Sequence, residues 1–287
     1  MTTPTSAIPN RGVKPLSQEA ITDQMLHRFD NCADPRLREL MKSLVQHLHA
    51  FAVETQLSEA EWGAGIDFLT ATGQTCTAAR QEFILLSDTL GLSMVVDAIN
   101  HPAVDGSTES TVLGPFYVPE SPWREMGDSI AGRPEDGEPA VVSGRVLDTA
   151  GEPIGVAVLD VWQNSATGLY AVQDDTQSPT NLRGRFKTGA DGRFRFRTVL
   201  PTDYQIPTDG PVGKMLAATG RHPWRPAHLH IRVEAPGYRP LTTHLFNAAS
   251  RWLTSDAVLG VKPSLVCTFA KSPEGYSLER DLVLAAS

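Results

Sequence analysis

The chain has 287 residues, enough to bury one large core with an extension, and its charged (20%) and hydrophobic (41%) fractions are those of a globular protein. A formal net charge of −8 argues against nucleic-acid binding through a basic surface, and no run reaches the length of a membrane span. The cysteines, Cys32, Cys76 and Cys267, form neither a C-x-x-C pair nor a disulfide framework, so a reducing cytoplasm is the expected home, and the opening Met1–Gly12 stretch reads as a flexible arm rather than a signal.

The first hundred residues carry helical signals. Asp34-Pro35 is a cap followed by proline at the first helical position, and Leu37, Leu40, Met41, Leu44, Val45, Leu48 and Phe51 then recur at three- and four-residue spacing. Ser58-Glu59-Ala60-Glu61 reads as a capping box opening a second helix through Trp62, Ile66 and Leu69. A third is expected from Thr77 to Leu90, stopped by Gly91, and Ser93 to Asn100 adds a turn or two. Residues 101–140 are rich in Pro, Gly, Ser and Glu and read as a long loop with a functional role. Strand patterns follow at Val141 to Leu147, Val156 to Gln163, Arg193 to Val199, His228 to Val233 and Leu241 to Phe246, and together they predict a β-sandwich.

The stretch Arg225-Pro-Ala-His-Leu-His-Ile-Arg-Val233 places two imidazoles on one face of a strand, with Leu229, Ile231 and Val233 on the other. Such a pair can close on one metal ion, although a bare H-x-H is also compatible with two ordinary polar residues. Further ligands would come from Asp160, Asp174, Asp175, Asp191 or Asp203, or from Tyr170 and Tyr204 in two turn-rich loops. Phenolates bind only next to a strongly Lewis-acidic ion such as iron(III). Two imidazoles and two phenolates would leave such a site with a single positive charge, suited to a chelating deprotonated 1,2-diol.

The β half resembles the intradiol ring-cleavage dioxygenases. The resemblance rests on Gly144-Arg-Val-Leu-Asp148 with Gly151-Glu-Pro-Ile154, Asp160-Val-Trp-Gln163, Gly168-Leu-Tyr170, Arg183-Gly-Arg-Phe186, Tyr204 before Ile206-Pro-Thr-Asp-Gly-Pro211, and Arg225-Pro-Ala-His-Leu-His230. Thr108-Glu-Ser-Thr-Val-Leu-Gly-Pro-Phe116 and Asp256-Ala-Val-Leu-Gly-Val-Lys262 extend it over most of the chain. It implies an α+β protein with an N-terminal helical dimerisation domain over 1–106 and a catalytic intradiol-dioxygenase β-sandwich over 107–287. It also implies one non-haem Fe(3+) per subunit, held by Tyr170, Tyr204, His228 and His230, which cleaves an aromatic diol with O2. Tyr204 would be displaced by substrate and help accept a proton, while Arg225 would stabilise negative charge on the ring. His244 matches a position one layer behind the ligands, often glutamine, where it would hydrogen-bond a metal-bound oxygen. The competing His222 lies out of strand register with the pair. Helix-mediated homodimerisation, in some members with a phospholipid in the interface, completes what the family implies.

Within the family the 108–116 loop resembles that of hydroxyquinol 1,2-dioxygenases, with catechol or chlorocatechol 1,2-dioxygenases as the alternative. Leu85, Asp88, Val112, Gly114, Pro115, Phe116, Ile206, Pro207, Arg225 and Val258 match substrate-pocket positions, and Asp88 is expected to accept from the third hydroxyl. Gln205 and Asn247-Ala-Ala-Ser-Arg-Trp252 depart from the subfamily pattern close to that pocket. Two readings from other classes are a transthyretin-like binding module and a zinc hydrolase built on His228, His230 and Asp203.

Overall fold

The structure is a computed structural model describing residues 17–77, 80–102, 104, 106–133 and 136–287. The expected N-terminal arm lies outside the described residues. The chain divides into two compact units, one ending at Leu69 and the other covering Thr70–Ser287.

The first unit holds α1 (Gln18–Arg28), α2 (Pro35–Glu54) and the greater part of α3 (Glu59–Thr75). Asp34 caps α2 by accepting from the backbone N–H groups of Arg36 and Leu37 at 2.8 and 3.1 Å. The expected capping box opens α3, with Ser58 N donating to Glu61 Oε2 at 2.9 Å and Glu61 N to Ser58 Oγ at 3.3 Å. Helix α1 carries too thin an apolar stripe to stand out in the sequence; its start is fixed by Ser17 Oγ, which accepts from Ala20 N.

In the second unit α4 covers Glu82–Thr89 and α5 Leu92–Asn100, separated by Gly91 at a left-handed φ of 76°. The helix expected from Thr77 thus begins at Glu82. Thr77 and Arg80 close on each other instead, through Thr77 N to Arg80 O (2.8 Å) and Arg80 N to Thr77 Oγ1 (3.0 Å).

The strands are β1 (Pro139–Asp148), β2 (Val158–Trp162), β3 (Arg183–Lys187), β4 (Arg193–Val199), β5 (Tyr204–Gln205), β6 (Trp224–Arg225), β7 (His228–Glu234), β8 (Leu241–Asn247), β9 (Val266–Cys267), β10 (Ala270–Ser272), β11 (Gly275–Glu279) and β12 (Leu282–Leu284). One sheet runs β10-β11-β1-β12 with β4 also on β1, the other runs β3-β2-β7-β8-β9, and β5 pairs with β6 in a separate ribbon. Their inner faces meet in one core, where Val142, Val146, Phe194, Phe196 and Leu282 from the first sheet pack with Leu159, Val161, Phe186, Leu229, Ile231 and Val233 from the second. This is the expected sandwich. Each fully buried aliphatic side chain there contributes about 1.5–3 kcal/mol relative to exposure.

Three kinds of element escape the strand pattern. Strand β3 alternates only charged and small residues with one phenylalanine, and β11 and β12 are short segments whose parallel pairing with β1 joins residues more than a hundred positions apart. Helix α6 (Pro211–Ala218), started by Pro211 after Gly210, interrupts the β half. The 101–138 stretch holds no α-helix or strand among its described residues, and parts of it are tied to sheet edges by Arg124 N to Arg185 O and Ile130 N to Arg197 O, both 2.9 Å.

Candidate active site

Strand β7 turns Leu229, Ile231 and Val233 into the core and His228 and His230 to the opposite face. Pairing of β7 with β8 sets His244 directly across from His230, and all three imidazoles are buried with ring nitrogens within 4.8 Å of one another. Among the described residues no carboxylate joins this group. Asp203 is engaged elsewhere, accepting from Ala227 N and Ser250 Oγ at 2.8 and 2.5 Å, which leaves the two-histidine, one-carboxylate reading without its anion. His222 packs on Trp252 and accepts from Trp224 N, apart from the pair.

Two tyrosines complete the cluster from different elements. Tyr204 sits on β5 directly opposite Arg225 of β6. Tyr170 ends the loop that follows β2, and its backbone N–H donates to Gln173 Oε1 at 3.1 Å. Gly168, at φ +82°, lets the two loops close: a Cβ there would stand 3.3 Å from the Tyr204 Cβ. Tyr170 Oη lies 2.9 Å from His230 Nε2, and that nitrogen is 3.1 Å from His228 Nε2. Arg225 NH1 bridges the other side, donating to Tyr204 Oη at 3.2 Å and standing 3.3 Å from His228 Nε2. Phe116 stacks on Tyr170 at 4.6 Å, and Trp162 stacks on His230 at 4.7 Å.

Burial pushes the Tyr170 phenol well above its ordinary value of 10, with the Tyr204 hydroxyl adding to the effect. Burial likewise holds the imidazoles of His228, His230 and His244 well below 6.5, helped by neighbouring cationic groups. Left to themselves these imidazoles are therefore neutral, and each keeps one nitrogen lone pair. His228 Nδ1 donates to the Pro226 carbonyl at 2.7 Å, which leaves Nε2 as the lone-pair nitrogen, turned toward His230 Nε2 and Arg225 NH1. Lone pairs converging in a dry pocket fit a metal ion, and the two hard phenol oxygens fit a Lewis-acidic one. Among the described residues Nδ1 of His230 has no hydrogen-bond partner, and His244 has at most the nearby Val112 backbone, so neither ring is tied to another side chain in a competing role.

Beside the cluster lies a cavity of about 470 Å³. Of the expected pocket residues, Leu85, Pro115, Phe116, Ile206 and Pro207 line it, and so does the departing Gln205. Asp88, Val112, Gly114, Arg225 and Val258 do not. Asp88 is buried on α4 with its carboxyl raised by desolvation and hydrogen-bonded to Ser93; Gly114 stands against the His230 ring, and Val258 N donates to Asp256. The cavity also has a polar rim that the sequence did not signal. Arg80 donates to both Glu82 and Asp209, at 2.9 Å and 2.8 Å, across 129 residues in the second case. No local pattern marks such a pair.

The chain matches the family described as Dioxygenase over residues 112–285 and that described as Catechol dioxygenase N terminus over 34–108. It is 49% identical over 268 residues to a 6-chlorohydroxyquinol 1,2-dioxygenase of Cupriavidus pinatubonensis, covering 93% of this chain and 97% of that protein. It is 45% identical over 282 residues to a hydroxyquinol 1,2-dioxygenase of a Rhizobium species, covering 93% and 95%. The solved hydroxyquinol 1,2-dioxygenase of Pseudomonas putida superposes with a TM-score of 0.87 at 49% identity, over 94% of this chain and 99% of that one. With both halves matched in order and Tyr170 and Tyr204 converging from a loop and from β5 on the two histidines of β7, the chain belongs to the intradiol ring-cleaving dioxygenases.

Proposed function

We propose that the protein cleaves hydroxyquinol (benzene-1,2,4-triol) between its vicinal hydroxylated carbons, adding both atoms of O2 to give maleylacetate. The observation that carries this reading is the convergence of Tyr170, Tyr204, His228 and His230 beside a cavity rimmed by Leu85, Phe116, Ile206 and Pro207. The names of the relatives at 45–49% identity support the substrate. Those four side chains would hold one Fe(3+) per subunit, with His244 behind them. When bound, the ferric ion supplies Lewis acidity and draws electron density from a chelated diolate toward O2.

The chain's own residues do the rest. Apolar walls and the Phe116–Tyr170 stack exclude water from the ring. Tyr204, whose phenolate would help hold the ion, would take up one proton from the diol at Oη and so become the neutral phenol. Arg225, buried and fixed beside Tyr204, stands where negative charge develops on the substrate. Asp88 is assigned to the discrimination of the third hydroxyl, and Val112, Gly114 and Val258 to the shape of the deeper pocket. Catechol or chlorocatechol cleavage is the second reading, favoured by Gln205, which lines the cavity where the hydroxyquinol pattern expects proline.

The proposal also divides the labour between a helical dimerisation domain over 1–106 and a catalytic domain over 107–287. The exposed stripe of Leu37, Leu40, Leu44, Leu48 and Phe51 supports a homodimer, with a phospholipid in its interface as a further expectation. No helix among the described residues is long and apolar enough to cross a membrane, and a cytoplasmic location is part of the same reading.

The test is initial oxygen uptake by the iron-loaded protein with hydroxyquinol and catechol at matched concentrations. A clear excess with hydroxyquinol, forming maleylacetate, is expected. An excess with catechol, forming cis,cis-muconate, would replace it by the second reading.

A further inference from the structure

Arg225 is 2% exposed, and two of its three nitrogens are committed to one carboxylate. Nε stands 3.1 Å from Asp256 Oδ1 and NH2 3.3 Å from Asp256 Oδ2. A guanidinium is planar and rigid, so fixing two nitrogens fixes the direction of the third. That third nitrogen, NH1, is the one facing Tyr204 Oη and His228 Nε2.

Asp256 is held just as firmly. Its Oδ1 accepts from Val258 N at 3.3 Å and its Oδ2 from Gly260 N at 3.0 Å, so the 256–260 turn is folded around the carboxylate. Thr111 Oγ1 donates to the Gly260 carbonyl at 3.2 Å and ties that turn to the 108–116 loop. Gly260 leaves no slack, since a Cβ there would stand 3.0 Å from Arg225 NH2, 3.2 Å from Asp256 Oδ2 and 3.3 Å from Thr111 Oγ1. A buried cation free to rotate would have several ways to satisfy itself; here one orientation is dictated from behind.

We infer that Asp256 is a positioning residue for ring cleavage: it touches neither the donor cluster nor the cavity, and acts by aiming Arg225 NH1 at the site. The inference rests on the proposed role of Arg225, and goes beyond it by assigning the orientation of that cation to a carboxylate from a distant turn. Charge alone is not the point, because a variant that keeps both charges but shifts the guanidinium must also be impaired.

The experiment is a double-mutant cycle on the iron-loaded enzyme, reading kcat and KM for oxygen uptake together with iron content, the visible absorption band and the melting temperature. Arg225→Gln and Asp256→Asn are each expected to lower kcat, by about 10²-fold and about 10-fold or more, as for loss of an electrostatic stabiliser. The double variant should match Arg225→Gln alone, since Asp256 has nothing left to aim. Iron content and the visible band should be retained throughout. Gly260→Ala, which keeps both charges on a backbone outside the left-handed region, should lower kcat severalfold with a nearly unchanged melting temperature. If Asp256→Asn costs the same factor in the Arg225→Gln background as in the wild type, the inference is overturned while Arg225 keeps its role. If Arg225→Gln retains full kcat, the role of Arg225 falls and the inference with it. Should Asp256→Asn fail to fold, an unimpaired Gly260→Ala would suffice to overturn it.

Discussion

His228 has its Nδ1 proton committed to the Pro226 carbonyl, and that one contact decides which nitrogen is available for chemistry. The same logic applies across the cluster: each proposed donor is defined by what its other atoms are already doing. Tyr170→Phe, Tyr204→Phe and His228→Ala are accordingly expected to weaken or abolish the visible phenolate-to-iron band together with turnover, and a variant retaining both would leave the donor set. Asp88 makes a subtler case. Its carboxyl is buried on α4, raised by desolvation and hydrogen-bonded to Ser93, apart from the four donors, so its removal should act mainly on recognition. Asp88→Ala should lower the ratio of hydroxyquinol to catechol turnover by roughly 10-fold, the scale of one lost buried hydrogen bond; comparing the two rates checks this, and an unchanged ratio would make Asp88 structural. At this scale the sequence was most legible where chemistry restricts the choice. Histidines two apart and scarce tyrosines in loops narrow the candidates, whereas Asp256 and Arg80 look like any charged residue until their partners are known.

Strand β1 depends on close backbone approach. A Cβ on Gly144 would collide with the Arg280 carbonyl, which belongs to the crossing between β11 and β12, and would crowd Phe194 at 3.1 Å. Gly144→Ala should therefore destabilise the fold by about 2–3 kcal/mol, the overpacking range, read as a lowered denaturant midpoint at unchanged slope. The start of α4 is clasped to the turn before α6 by another device. Arg80 pairs with Asp209, and Glu82 Oε1 accepts from Val212 N at 3.2 Å. The Arg80 hydrogen bond holds the Asp209 carboxyl below its ordinary value of 3.8. A depressed folded value means stability that is fully present above the unfolded value and lost as pH falls through the folded one. The melting-temperature difference between wild type and Asp209→Asn should thus be largest near neutrality and vanish in acid below the carboxylate range. The difference is expected to be small, because Asp209 is largely exposed and solvent screens the pair.

For the whole molecule, the expectation that reaches furthest is assembly. The α2 stripe recurs at helical spacing and stays exposed, with Leu44 at 51% and Leu48 at 55%. Sedimentation should give the mass of two chains, and Leu44→Glu with Leu48→Glu should give one, with the melting profile deciding whether the single chain remains folded. The expected helices and sandwich were readable because caps, apolar periodicity and strand alternation are local properties of a few consecutive residues. The late start of α4, the short C-terminal strands and α6 were not, because each is fixed by a partner elsewhere: Asp209 for Arg80, β1 for β11 and β12, Glu82 for the turn entering α6.

By itself the sequence determined the family, the mixed helical and sandwich architecture, and the side of β7 on which His228 and His230 stand. A strand's alternation leaves a side chain only two faces, and Leu229, Ile231 and Val233 claim one of them for the core. Only the tertiary structure decided that Tyr170, sixty residues upstream, meets His230. The same is true of Arg225, gripped by an aspartate 31 residues further on. Such meetings depend on loop closure and on the packing of two sheets. Those are sums over the whole chain, and no short window of sequence contains them.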